Sequence, residues 1–158
     1  LAGQNPRWDD VLQNGPSALN AEFFDIDWAP LREDLHGRVL LPLLGDQYGR
    51  VLERGELRVV WDEASFKLAY FDKRLPLGPK SLLPLLEFAL TRLTLAETDP
   101  NRHELESVLT AVRHLPDRHE TSPELRKERA RELSVIKRRL YGLWNGSPPV
   151  RATFEQAR

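Results

Sequence analysis

Apolar residues recur at helical spacing through the second half of the sequence. Residues 81–95 are apolar on most sides, which predicts a central helix. Asp99 and Ser122 are each followed by proline, a combination that commonly starts a helix. The apolar positions of the next two segments are Leu105, Val108, Leu109, Val112 and Leu115, then Leu125, Leu133, Ile136, Leu140 and Leu143. These stripes predict three helices that bury one another.

Alternation of polar and apolar residues predicts a β-hairpin in the first half. Residues 56–62 alternate in part and include β-branched side chains, residues 62–64 suit a turn, and residues 65–71 alternate more regularly. Phe66, Leu68 and Tyr70 would then share one face of the second strand.

Three shorter elements are expected beside the hairpin. Residues 8–14 suit a short helix that Gly15 and the following proline end. Residues 39–41 form an apolar run closed by proline, which predicts a short strand. Residues 46–54 predict a helical turn that ends before a glycine.

These elements predict an α+β fold whose two parts meet near Gly78. Residues 1–78 are an aromatic-rich loop and β-hairpin part with a formal charge of −4, and residues 79–158 are a helical part of about three to five helices with a charge of +3. Because an isolated hairpin is only marginally stable in water, we expect it to pack on the helices and Leu109 to be buried.

The composition narrows the class of protein. With 158 residues, 41% hydrophobic and 30% charged, and a net charge of −1, the chain suits one globular domain or two small ones, with no preference for a charged partner. No apolar run approaches the ~20 residues of a membrane span, so no membrane partner is expected. The absence of cysteine excludes disulfides and thiolate chemistry and agrees with a cytoplasmic protein. The absence of methionine predicts a processed chain or a fragment of a longer one.

The common cofactor and metal motifs are missing. The four histidines form no His-x-x-x-His pair, and Gly45 to Gly49 meets neither the phosphate-loop nor the dinucleotide pattern, so no metal and no cofactor is predicted. Seven basic residues between 126 and 139 could meet nucleic acid, but interleaved glutamates favour a solvated helix face. Asp25 and Asp27 are two residues apart, and such a pair is more typical of backbone hydrogen bonding at a turn than of catalysis.

Several blocks of the first half together resemble a known enzyme family. They are residues 5–17, residues 23–28 (Phe-Phe-Asp-Ile-Asp-Trp), residues 39–45, Tyr48-Gly49, residues 52–57 and residues 70–77 (Tyr-Phe-Asp-Lys-Arg-Leu-Pro-Leu). In order and approximate spacing they resemble the malto-oligosyltrehalose synthase branch of the α-amylase superfamily. The helical half resembles that family more loosely, through residues 143–146 and 152–154.

The resemblance implies a (β/α)₈-barrel enzyme with a large insertion after its third strand, and this chain resembles the insertion. The implied reaction is an isomerisation that converts the reducing-end α-1,4 linkage of a maltodextrin to α,α-1,1 by intramolecular glucosyl transfer. The family's nucleophile, acid/base and stabilising aspartate match no position here, so no catalytic residue is assigned and the chain alone is expected to be inactive. Its implied partners are the maltooligosaccharide and the remainder of the barrel.

Sugars bind to aromatic faces and to directional hydrogen-bonding groups. The candidates for contact with substrate are Trp8, Phe24, Asp25, Trp28, Asp46 and Tyr48. Two alternatives remain open at this point, namely a free-standing helical protein-interaction module and, less favoured, a nucleic-acid-binding domain that uses the third helix.

Overall fold

The computed structural model describes residues 5–157, which form an α+β fold with one three-stranded antiparallel sheet. Short 3₁₀ turns at residues 15–17, 21–23, 33–35 and 79–82 connect the longer elements. In chain order these are α1 (Pro6–Asn14), α2 (Tyr48–Glu53), β1 (Leu57–Asp62), β2 (Ser65–Tyr70), β3 (Lys73–Pro76), α3 (Leu83–Arg92), α4 (Pro100–His114), α5 (Pro123–Gly146) and α6 (Pro148–Gln156). The predicted fold class is confirmed, and the helical part contains four α-helices, α3 to α6.

The predicted hairpin is present as β1 and β2. Trp61 lies opposite Phe66, and Glu63 and Ala64 form the two-residue turn with positive φ angles of 46° and 67°. Two positive φ angles in a two-residue turn match the twist of the flanking strands. A third strand, β3, pairs with β2. The pattern gave no sign of β3, because its four residues include two charges and a proline.

The predicted helix starts are also present. The Asp99 carboxylate accepts a hydrogen bond from the Asn101 N–H (2.8 Å), and the Ser122 hydroxyl accepts one from the Leu125 N–H (3.4 Å). Both side chains therefore satisfy backbone donors that the first helical turn leaves free. The central helix begins two residues later than expected, after a 3₁₀ turn over residues 79–82.

The main hydrophobic core joins the hairpin to the helices. Phe66 is buried among residues of α3 to α6, with its ring 5.3 Å from that of Phe154. On β1, Trp61 stacks on Trp144 of α5 at 4.5 Å and 7°. Leu109 is buried in the same core, as expected. The hairpin thus gains the covering layer that a small sheet needs.

The prediction of a short strand at residues 39–41 is wrong. Residues 38–44 have no regular secondary structure, and the sheet of the described residues contains only β1, β2 and β3. Val39 and Leu41 line a groove together with Val11 of α1 and Leu68 of β2, while Leu40 is exposed. The apolar run therefore packs through its side chains, without the partner strand that a ladder of backbone hydrogen bonds requires.

Two glycines allow the N-terminal segment (residues 5–37) to approach the connection between α4 and α5 (residues 115–122). Gly15 has a φ of +61°, and a Cβ there would lie 2.7 Å from the Arg118 guanidinium. Gly37 has a φ of +65°, and a Cβ there would lie 2.2 Å from the His119 ring. Arg118 also donates to the Gly37 carbonyl (3.1 Å). A side chain at either glycine would be strained and would separate the two segments.

Candidate functional site

Three of the six residues predicted to contact sugar lie together. Trp8 of α1 and Phe24 have ring centroids 5.0 Å apart at 54°, and both pack with Trp28 against a small core of Val11, Ala18 and Ala21. Each of the three aromatic side chains is half-buried. They form an aromatic cluster (Trp8, Phe24, Trp28) that supports the N-terminal segment and still presents part of its surface to solvent.

The carboxylates between these aromatic residues are exposed. Asp25 and Asp27 both lie in the irregular segment after the second 3₁₀ turn. The Asp27 carboxylate accepts a hydrogen bond from the Ala29 N–H at 3.0 Å, which is a turn interaction of the kind expected for this pair.

Asp46 and Tyr48 occupy a separate corner at the start of α2. The Asp46 carboxylate accepts a hydrogen bond from the Gln47 N–H (2.7 Å) and pairs with Arg54 (2.9 Å). The hydrogen bond from Arg54, followed by that from Gln47, lowers the pKa of Asp46. Tyr48 is 63% exposed. The hydroxyl of Tyr70 accepts from the Gly45 N–H (2.9 Å), which fixes this corner to β2.

A further candidate site is an open groove of about 670 Å³ between α1, the β1–β2 hairpin and α5. It falls within the range of about 300–1,000 Å³ typical of small-molecule sites. None of the six predicted residues lines it. Its lining residues are Pro6, Asp9, Asp10, Gln13, Asn14, Glu63, Ser65, Lys67, Pro76, Ala130, Leu133, Ser134 and Lys137.

Lys137 of α5 is the most unusual group in this groove. Its ammonium donates to the Gln13 Oε1 at 2.7 Å, and Gln13 in turn donates to the Leu77 carbonyl at 2.9 Å. Burial lowers the pKa of Lys137, and the positive charge of Lys67 acts in the same direction, while Asp10 and Asp9 oppose the shift. A neutral amide therefore orients this lysine in a partly desolvated position.

The α1 wall of the groove is held by a hydrogen-bonded network. Asp10 accepts from the Asn14 side chain (2.9 Å) and from both the backbone and the side chain of Asn20 (3.1 and 2.8 Å). Asn14 also accepts from Arg129 of α5 (3.2 Å). The contact between Asn14 and Arg129 joins residues 115 positions apart in sequence.

The sequence pattern does not predict the groove, because the groove forms where three distant segments meet. One partial signal was available. Lys137 lies four residues after Leu133 and next to Ile136, so it adjoins the apolar stripe of α5.

The basic residues of α5 do not form one solvated face. Arg126 pairs with Glu22 (2.9 Å), and Arg139 forms two hydrogen bonds with Glu104 of α4 (2.6 and 2.9 Å). Arg129 is buried. The remaining exposed bases of this helix are Lys127, Arg131 and Arg138.

Within residues 5–157, no group of three or more histidine, aspartate or glutamate side chains is arranged to hold a metal ion. None of the helices in the same span is both long and apolar enough to cross a membrane.

The environment of Lys137 predicts a pH dependence of stability. The pKa of Lys137 in the folded chain lies below its ordinary value of 10.5. Between these two pKa values the unfolded chain holds more protons on this lysine than the folded chain does, so the free energy of unfolding should rise with pH there. Relative to Lys137→Met, the native chain should therefore gain free energy of unfolding between about pH 7.5 and about pH 10. Urea unfolding of both proteins at both pH values measures this. An unchanged or opposite difference would contradict the stated environment.

Comparison with known proteins gives a partial match. Two curated sequences of Mycobacterium tuberculosis, from strains CDC 1551 / Oshkosh and ATCC 25618 / H37Rv, carry maltooligosyl trehalose synthase as a provisional name. Each is 44% identical to this chain over 78 residues, which is 49% of this chain and 9% of the relative. The chain therefore spans a small part of the length of these relatives. No family model matches the chain, and no solved structure matches it.

Proposed function

We propose that this chain is part of a maltooligosyl trehalose synthase and shapes the active-site cleft of that enzyme. The observation that carries the proposal is the 44% identity over 78 residues to two sequences of that name. The blocks between residues 5 and 77 add support, because their order and approximate spacing resemble the same family. A cytoplasmic location belongs to the same proposal.

The proposed reaction is an isomerisation by glucosyl transfer with retained configuration. Such a reaction uses a carboxylate nucleophile and a carboxylic acid whose pKa is raised. The carboxyl groups of Asp34, Asp46, Glu104 and Asp117 have a lowered pKa, so none of these four suits the acid role. The proposal assigns binding and shaping of the cleft to this chain and the reacting carboxylates to the remainder of a barrel.

The proposed contribution of the chain is to hold the glucan and exclude water. After the first transfer step, the released glucose must reorient before its anomeric hydroxyl attacks, and water in the cleft would give hydrolysis instead. Aromatic faces and nearby carboxylates can hold sugar units during this step. We assign this role to Trp8, Phe24, Asp25, Trp28, Asp46 and Tyr48.

The first half of the chain exposes several large hydrophobic side chains, as expected for a surface that the rest of a larger protein covers. Within the described residues, most of the large hydrophobic side chains that are exposed belong to residues 19–71, while three lie in the helical part. The most exposed are Leu31, Leu40 and Phe71, at 105%, 72% and 70%. Since exposed apolar surface is typical of contact sites, the remainder of the barrel is the partner we propose for this part.

The direct test uses the protein encoded by the complete reading frame that contains this sequence. With maltopentaose it should remove reducing ends without releasing an equal amount of glucose, because an α,α-1,1 linkage has no free anomeric carbon. The 158-residue chain alone should do neither. Full-length protein that leaves the reducing ends intact would contradict the proposal and favour an interaction module. Turnover by the isolated chain that is lost on Asp25→Asn or Asp27→Asn would contradict the non-catalytic role.

A second prediction concerns Tyr48 in that complete protein. Tyr48→Ala should raise hydrolysis relative to transfer by roughly two- to tenfold, the effect of losing one aromatic contact of about 0.5–1.5 kcal/mol. The control is Phe88→Ala on α3, since Phe88 is also an exposed aromatic residue and lines neither candidate site. The ratio of glucose to non-reducing product measures the effect. A ratio that responds to Phe88 and not to Tyr48 would reverse the assignment of faces.

A further inference from the structure

We propose that the groove between α1, the β1–β2 hairpin and α5 binds a neutral, hydroxyl-rich chain of the α-glucan class, at a site separate from the aromatic cluster. The glucan identity of the ligand rests on the proposed function. The site itself rests on the groove's volume of about 670 Å³ and on the groups that line it.

The groove offers hydrogen-bond donors that are not neutralised by a carboxylate. A lysine ammonium has three N–H groups, and Lys137 uses one on the neutral Gln13 Oε1 at 2.7 Å. Among residues 5–157, no carboxylate lies within 4.0 Å of this ammonium as an ion-pair partner. Lys67, in contrast, pairs with Glu63 (2.7 Å) and Asp62 (3.4 Å). Lys137 therefore has N–H groups available to an acceptor oxygen of a ligand.

The charges of the groove favour a neutral ligand over an anion. The carboxylates of Asp10 and Glu63 line it together with the ammonium groups of Lys67 and Lys137. Because charges of both signs lie side by side, a phosphate or carboxylate ligand gains no net attraction. Sugar hydroxyl and ether oxygens accept hydrogen bonds from ammonium groups and carry no charge of their own.

The other lining residues suit the two kinds of surface that a pyranose presents. Pro6, Pro76 and Leu133 provide apolar contact area, and Ser65 and Ser134 provide hydroxyl groups. Sites of this size are typically lined by apolar side chains with a few polar groups that fix orientation.

Helix α1 separates this groove from the aromatic cluster. Trp8 packs against Phe24, whereas Asp9, Asp10 and Gln13 line the groove. Consecutive helical residues differ by about 100° in direction, so one helix serves both surfaces. A glucan could thus contact the chain at two places.

The test measures maltopentaose binding to the folded 158-residue chain by calorimetry and by ¹H–¹⁵N NMR. Ser134→Gln enlarges an exposed side chain at the groove and should weaken binding by at least about tenfold, as should Lys137→Met. The matched control, Ser107→Gln, lies on an exposed position of α4 and should leave binding unchanged. Thermal unfolding checks that each variant folds.

Three results would overturn the site. These are no saturable binding up to roughly 20 mM, binding that neither groove variant weakens, and displacement of maltopentaose by inorganic phosphate at lower concentration. The proposed function fails separately, in the activity of the complete protein. Groove binding with an inactive complete protein would contradict the function alone, and an active protein whose chain binds no maltopentaose would contradict the groove alone.

Discussion

Arg129 places a guanidinium in the interior, between the N-terminal segment and the helical part, where its side chain is 3% exposed. Burying this cation is costly unless its N–H groups find acceptors. Two are present, the Asn14 Oδ1 at 3.2 Å and the Pro116 carbonyl. Burial lowers the pKa of Arg129, and the charges of Asp117 and Asp10 partly offset this. The end of α1 and the α4–α5 connection must therefore meet at one point.

This requirement determines where both candidate surfaces lie. With Asn14 held against α5, one side of α1 faces Lys137 across the groove and Trp8 packs with Phe24 on another side. Arg126 reinforces the arrangement, because it pairs with Glu22 and donates to the Ala18 carbonyl. Any glucan contact proposed for the N-terminal segment thus depends on polar contacts with a helix that the sequence analysis assigned to a different part of the chain.

Local rules predicted most of the regular elements. Asp99 and Ser122 start helices because their side chains satisfy backbone donors within two or three residues. The hairpin followed from alternation over residues 65–71. The strand expected at residues 39–41 failed, because apolar character alone does not supply a partner for the backbone.

The sequence pattern predicted less about the candidate sites than about the regular elements. Trp8 packs on Phe24, whereas Asp46 engages Arg54 at a separate corner, and neither arrangement was evident from the sequence pattern. The groove around Lys137 depends on contacts between residues such as Gln13 and Lys137, which are 124 positions apart. Periodicity describes one element at a time and carries no information on which elements meet. The acceptors that surround a buried cation become visible only in three dimensions.

The central physical claim is that Asn14 and Arg129 hold the N-terminal segment and the helical part as one body. A double-mutant cycle with Asn14→Ala and Arg129→Met, measured by urea unfolding, tests it most directly. Since Asn14→Ala alone leaves a buried charged donor without its acceptor, that variant should lose about 1–3 kcal/mol, and the two changes should be coupled by at least about 1 kcal/mol. Additivity within about 0.5 kcal/mol would contradict the claim.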